Sequence, residues 1–209
     1  LADDGTAYSY LDAFTTEAKE LATPDCTQTR KLLIYSHGNG GLKVQAPFLT
    51  EHMASHGFVV VGIDHRENTI TNFVEEALGK VMYRRPVEVS MAFDSVVEQL
   101  GAVDGLLAGC IDEVDGFGVM GHSFGGYTSL VVAGTSIHPE VTSDMCDLGY
   151  TWLCDGVAQW AVENPGETSF AWSDERVWAT APMAPCGFEA LAGGLQNITV
   201  PTLVLGGGL

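Results

Sequence analysis

Two rhythms of apolar residues alternate along the chain. Short apolar runs occupy residues 31–36 (KLLIYS), 58–63 (FVVVGI), 117–120 (FGVM) and 176–182 (RVWATAP), and 200–206 (VPTLVLG) follows. Runs of this length, bounded by glycine and polar turns, mark strands buried on both faces. Between them the spacing changes to three and four. Phe48, Leu49, His52, Met53 and His56 follow Pro47 and stop at Gly57, which predicts one helix. Val87, Met91, Phe93, Val96, Val97, Leu100 and Val103 form the stripe of a longer amphipathic helix entered from Tyr83. Small and apolar residues after Gly126 open a third, and Tyr8, Leu11, Phe14, Ala18 and Leu21 predict an earlier one that Pro24 ends. Strands alternating with helices predict an α/β chain with a doubly wound, mostly parallel sheet, in one domain over residues 1–209.

Residues 134–175 break that alternation. They hold Cys146, Trp152, Cys154, Trp160 and Trp172 among acids, prolines and glycines. An insertion here would cap the carboxyl ends of the strands, with Trp152 and its neighbours as an apolar wall for an acyl or aromatic group. The alternative is a small satellite core. Cys146 and Cys154 lie close together in a polar stretch, which predicts a loop-closing disulfide and a secreted or periplasmic setting. The cysteines number five, so one is left over. The chain starts at Leu1 without an initiator Met or a signal-like stretch, as a processed or trimmed chain would.

The candidate chemistry sits at the end of the 117–120 strand. Ser123 stands between Gly121 and Gly125-Gly126, the G-x-S-x-G pattern in which a tight strand-to-helix turn lifts a serine hydroxyl above the sheet edge. The helix that follows aims its N-terminal N–H groups at the site and favours negative charge there. The 31–36 strand runs into His37-Gly38-Asn39-Gly40-Gly41, a loop able to present backbone N–H groups as half of an oxyanion hole. Asn39 and Phe124 are the expected donors. A phosphate-binding loop is excluded because no Lys-Ser/Thr follows. His37, Gly38, His65, His122 and Trp152 are the residues expected to border the substrate, with Asn68 and Thr69 beside His65 at a strand's carboxyl end. His52 and His56 are four apart but lack the Glu of an H-E-x-x-H site, so neither a metal nor another cofactor is expected.

A net charge of −18 with only 9 Lys and Arg argues against nucleic acid and against docking on anionic membranes. No apolar stretch is long enough to span a bilayer. The expected partner is a small-molecule or lipid-like ester; the oligomeric state is not encoded in any motif.

Taken together, residues 37–41, 54–61 with Ile63-Asp64, Arg85-Pro86, 121–126 and 200–203 resemble the predicted dienelactone hydrolases and platelet-activating-factor acetylhydrolase-like esterases, close to the cutinase-type polyester hydrolases. The resemblance runs over 31–209 and implies an α/β-hydrolase fold. It further implies a serine carboxylic ester hydrolase with Ser123 as nucleophile and the N–H groups of Asn39 and Phe124 on the oxyanion. Cutinase-type enzymes usually carry Met after the nucleophile, where this chain has Phe124. The partners of such a serine follow in the order acid, then histidine. Here His138 is the only later histidine, no carboxylate follows residues 181–183, and Asp144, Asp174 and Glu189 are the other acids in reach of consideration. The expectation is therefore a C-terminally incomplete chain whose acid and histidine lie beyond Leu209. A non-catalytic α/β-hydrolase-like binding protein, or an inactive fragment, is the alternative.

Overall fold

The computed structural model describes residues 24–111, 113–137, 146, 151–167, 169–187, 191 and 193–207. The helix expected over residues 8–21 and His138 lie outside them. In chain order the elements are β1 (Leu32–Ser36), α1 (Pro47–Ser55), β2 (Val59–Ile63), the short pair β3 (Asn68–Thr69) and β4 (Asn72–Phe73), and α2 (Leu78–Gln99). Then come β5 (Phe117–His122), α3 (Phe124–Val132), β6 (Ser136–Ile137), α4 (Thr151–Glu163), β7 (Phe170–Ala171) and β8 (Val177–Met183).

β1 is buried at every residue and lies inside a parallel sheet of order β2-β1-β5-β8. The order matters for function. From β1 the chain crosses first to β2 on one side and later to β5 on the other, so the loops leaving β1 and β5 depart in opposite directions. The crevice of an open parallel sheet forms at such a reversal, beyond the carboxyl ends of the strands. Here the register pairs Ser36 with Gly121, which sets the loop at 37–41 beside the turn at Ser123. Residues 200–206 continue the sheet only as two parallel bridges to β8, Thr180 with Thr202 and Met183 with Leu205. Leu203, Val204 and Leu205 stay exposed on that edge.

The long helix departs from its expected extent. It begins at Leu78 and passes straight through Pro86, and its buried side is Val81, Met82, Arg85, Val89, Phe93 and Val96. Met91 is 60% exposed, and Val103, beyond the helix end, 94%. Proline lacks the N–H that would bond the carbonyl four residues back, which makes it read as a boundary. Here the Tyr127 hydroxyl takes that role, donating to the Met82 carbonyl at 3.2 Å. The proline is thereby tolerated and the stripe rotates. α3, buried along its whole length, lies between α2 and the sheet.

The described part of 134–175 joins the main core. α4 crosses α2 where two glycines meet, and a Cβ on Gly79 would stand 2.9 Å from the Gly156 Cα. Close approach of two backbones is what glycine permits here. Val157 and Trp160 of α4 and Phe170 of β7 share one apolar cluster with Met82, Phe124, Tyr127 and Leu130. The side chain of Trp152 lies outside the described residues. The expected Cys146–Cys154 disulfide is present, and a second joins Cys26 to Cys110 across 84 residues. Cys186 is outside both.

Candidate active site

Ser123 caps the N-terminus of α3 with φ 55° and ψ −115°, a conformation that side-chain-bearing residues rarely adopt. Such strain costs about 1–3 kcal/mol and persists where the surroundings over-determine it. They do so here. The Ser123 N–H donates to the Met183 carbonyl at 2.9 Å, while its own carbonyl accepts the N–H of Tyr127 at 3.1 Å and of Cys186 at 3.2 Å. The end of β8 and the first turn of α3 therefore clamp the serine from both sides. The flanking glycines are steric requirements. A Cβ on Gly121 would come within 2.6 Å of the Ser36 carbonyl oxygen, one on Gly125 would overlap that same oxygen, and one on Gly126 would be 2.9 Å from the Pro185 Cα.

The glycine loop after β1 presses on this turn. A Cβ on Gly38 would be 3.6 Å from the Ser123 Cβ and 3.5 Å from the His122 Nδ1. Within the loop the Gly38 N–H donates to Gln45 Oε1 at 2.8 Å and the Gly41 N–H to the Gly38 carbonyl at 3.1 Å. The N–H of Asn39 meets no acceptor among the described residues. Its side chain is held instead, with Oδ1 accepting from the buried Asn68 Nδ2 at 2.7 Å. Asn39, Leu78, Ser123, Phe124 and Cys186 line one cleft of about 180 Å³. Three of the expected residues, Asn39, Ser123 and Phe124, are brought together in it.

Behind the loop is a largely buried polar network. His37 and His65 are both 0% exposed. His37 Nε2 accepts the His65 backbone N–H at 3.1 Å, so its proton is on Nδ1, which donates to the Gly38 carbonyl at 2.7 Å. His65 Nδ1 faces Glu88 Oε2 at 2.7 Å, leaving Nε2 to accept from the Ser36 hydroxyl at 2.8 Å. Burial, with the nearby Arg85 guanidinium, lowers the His37 pKa to about 4 and takes His65 well below its ordinary value. Both imidazoles are neutral near pH 7. Arg85 is also 0% exposed; it donates through Nη2 to the His37 carbonyl, and its guanidinium carbon lies 4.5 Å from the Phe124 ring centroid.

The rings of His37 and His65, expected to border the substrate, are buried, and their nitrogens are engaged by the Gly38 carbonyl, the His65 backbone N–H, the Ser36 hydroxyl and Glu88. Asn68 and Thr69 are likewise buried behind the loop. His122 is exposed next to the turn, and Gly38 packs against it. Asp174, considered as an acid, is engaged by Arg176 through both oxygens, at 2.8 and 2.7 Å. Asp144 and Glu189 lie outside the described residues. Among the described residues no imidazole is hydrogen-bonded to the Ser123 hydroxyl. Leu78, Gln45, Glu88 and Arg85 were missed by sequence reasoning. Only Arg85 had a signal, in the Arg-Pro pair counted among the shared features.

The parallel sheet with helices on it, carrying a strained serine turn at the reversal of strand order, is of the α/β-hydrolase kind. Residues 7–93 match the family described as platelet-activating factor acetylhydrolase, isoform II, a likeness that covers less than half of the chain. The match supports an ester hydrolase acting on a lipid or other ester; it covers the glycine loop and most of α2 and ends before Ser123. No curated protein matches the chain. The two disulfides are compatible with an extracellular protein, and no helix among the described residues is long and apolar enough to cross a membrane.

Proposed function

We propose that this protein is a secreted or periplasmic serine carboxylic ester hydrolase that works through an acyl-enzyme on Ser123. One observation carries the reading: a single cleft holds the Ser123 hydroxyl together with Asn39 and Phe124, residues on two segments that can turn backbone N–H groups toward one oxygen. In the reaction the hydroxyl oxygen attacks the ester carbonyl carbon as an imidazole takes its proton. The carbonyl oxygen becomes an oxyanion, held by the Asn39 and Phe124 N–H groups. Collapse expels the alcohol, protonated by the same imidazole, and water then hydrolyses the acyl-serine. Since no imidazole among the described residues is hydrogen-bonded to Ser123, this base comes from outside them, where His138 lies. A cleft of about 180 Å³ is below the roughly 300–1,000 Å³ of drug-sized ligand sites, so the acyl group it favours is short.

Labelling with a fluorophosphonate and hydrolysis of p-nitrophenyl acetate against the octanoate ester test this. The expected result is labelling at Ser123, lost in Ser123→Ala, and faster turnover of the acetate. A wild-type protein that neither labels nor hydrolyses either ester would leave the second reading, a non-catalytic binding protein, which fits the lack of an imidazole bonded to Ser123 among the described residues.

A further inference from the structure

Arg85 is an odd residue to find on the buried side of α2. Taking a cation out of water is costly unless its hydrogen bonds are satisfied. Yet only Nη2 donates to an acceptor, the His37 carbonyl, and neither Nε nor Nη1 meets an acceptor among the described residues. The Nη2 approach to His37 Nδ1 at 3.3 Å adds nothing, since that nitrogen carries a proton of its own. Burial weakens the hold of the guanidinium on its proton, lowering its pKa to about 9, which still leaves it a cation at neutral pH. The side chain therefore makes two specific contacts. One is with the residue that opens the glycine loop, and the other is with the ring of Phe124, whose N–H is the second oxyanion donor. Each contact falls on a different half of the hole.

We propose that Arg85 is the positioning residue of the oxyanion hole, a clamp from behind that fixes the Asn39 and Phe124 N–H groups relative to each other. The planar guanidinium suits this task, because one edge grips a carbonyl while its face lies on a ring, which an ammonium cannot do. Its partners on α2 reinforce it. Glu88, one turn further on, holds His65, whose backbone N–H in turn holds the His37 ring. The inference rests on Ser123 being the nucleophile, and its test separates the two.

The experiment uses the full chain and the variants Arg85→Met, Arg85→Lys and Phe124→Leu. It reads kcat and KM for p-nitrophenyl acetate, the fluorophosphonate labelling rate of Ser123, and cooperative urea unfolding. In Arg85→Met, kcat and the labelling rate fall together by about 10- to 100-fold while KM changes less than about threefold, since misplacing donors by a fraction of an ångström acts on the transition state. Arg85→Lys recovers part of kcat through the carbonyl contact alone. A folded Arg85→Met protein with kcat within about threefold of wild type overturns the clamp while leaving the nucleophile intact. Absence of labelling in wild type overturns the nucleophile instead. Should both Arg85 variants fail to unfold cooperatively, Phe124→Leu decides: it removes the ring but keeps the N–H. A fall in kcat of about tenfold at unchanged KM supports the clamp, and an unchanged kcat overturns it.

Discussion

Pro86 and Tyr127 form a pair whose coupling can be measured. Proline inside α2 leaves the Met82 carbonyl without its intrahelical donor, and both Met82 and Tyr127 are 0% exposed. The Tyr127 hydroxyl at 3.2 Å is the replacement. Tyr127→Phe removes it and strands a buried carbonyl, at a cost of about 1–3 kcal/mol. Pro86→Ala restores an N–H four residues ahead, so in that background the same Phe substitution should cost less than about 0.5 kcal/mol. The double-mutant cycle is then expected to give a coupling of about 1–2 kcal/mol. Urea midpoints followed by circular dichroism, with unchanged slopes, supply the four stabilities. For a chain of this size each kcal/mol shifts the thermal midpoint by about 2–4 °C, which gives a second reading of the same quantities. Equal costs of Tyr127→Phe in both backgrounds would refute the account of how α2 tolerates its proline. The pair also bears on the site, since Tyr127 is one turn after Ser123 and its backbone N–H bonds the Ser123 carbonyl.

Gly125→Ala drives a methyl group into the Ser36 carbonyl and should abolish fluorophosphonate labelling, either by unfolding the chain or by displacing Ser123; a folded variant that labels at the wild-type rate contradicts the steric argument. His37 is neutral when folded, with a pKa of about 4 against an ordinary 6.5, so its stabilising effect is complete above pH 6.5 and is lost as pH falls toward 4, by up to about 3 kcal/mol. Glu88, its pKa raised by burial, titrates with the opposite sign in the carboxylate range, so the diagnostic is a steeper loss of urea stability from pH 6.5 to 5 in wild type than in His37→Gln. Loop-closure entropy assigns about 4.5 kcal/mol to Cys26–Cys110, separated by 84 residues, and about 2.6 to Cys146–Cys154, separated by 8. Replacing each pair by serine should therefore lower the urea midpoint more for the first, and the reverse order would show that native-state contacts outweigh chain entropy.

What could be read from the residues alone was whatever has a short-range cause. The β1, β5 and β8 strands announce themselves as apolar runs, and the turn at Ser123 by glycines whose absent Cβ atoms the Ser36 carbonyl and Pro185 require. The Cys146–Cys154 bridge was legible for the same reason, being local. Cys26–Cys110 was not, because five cysteines and an 84-residue separation leave the pairing open. The start of α2 was hidden by Pro86, which is acceptable only because of a hydroxyl on α3, 41 positions away in sequence. The likeness to cutinase-type enzymes is not carried by the family match, and the role of 134–175 as a cap rests partly on residues outside those described.

Polarity misled most at His37, His65 and Arg85, which a hydropathy pattern assigns to solvent or substrate and the fold buries completely. Their burial has a common location: all three stand directly behind the loop at the carboxyl end of β1, next to the strained turn after β5. A chain optimised only for stability would not retain there a rarely adopted backbone conformation and a buried cation with a single nitrogen hydrogen-bonded among the described residues. Local rules are broken where something other than stability is being held in place. That both costs fall at the crevice where the strand order reverses is a physical reason to look for chemistry at Ser123 rather than in a larger groove of the molecule.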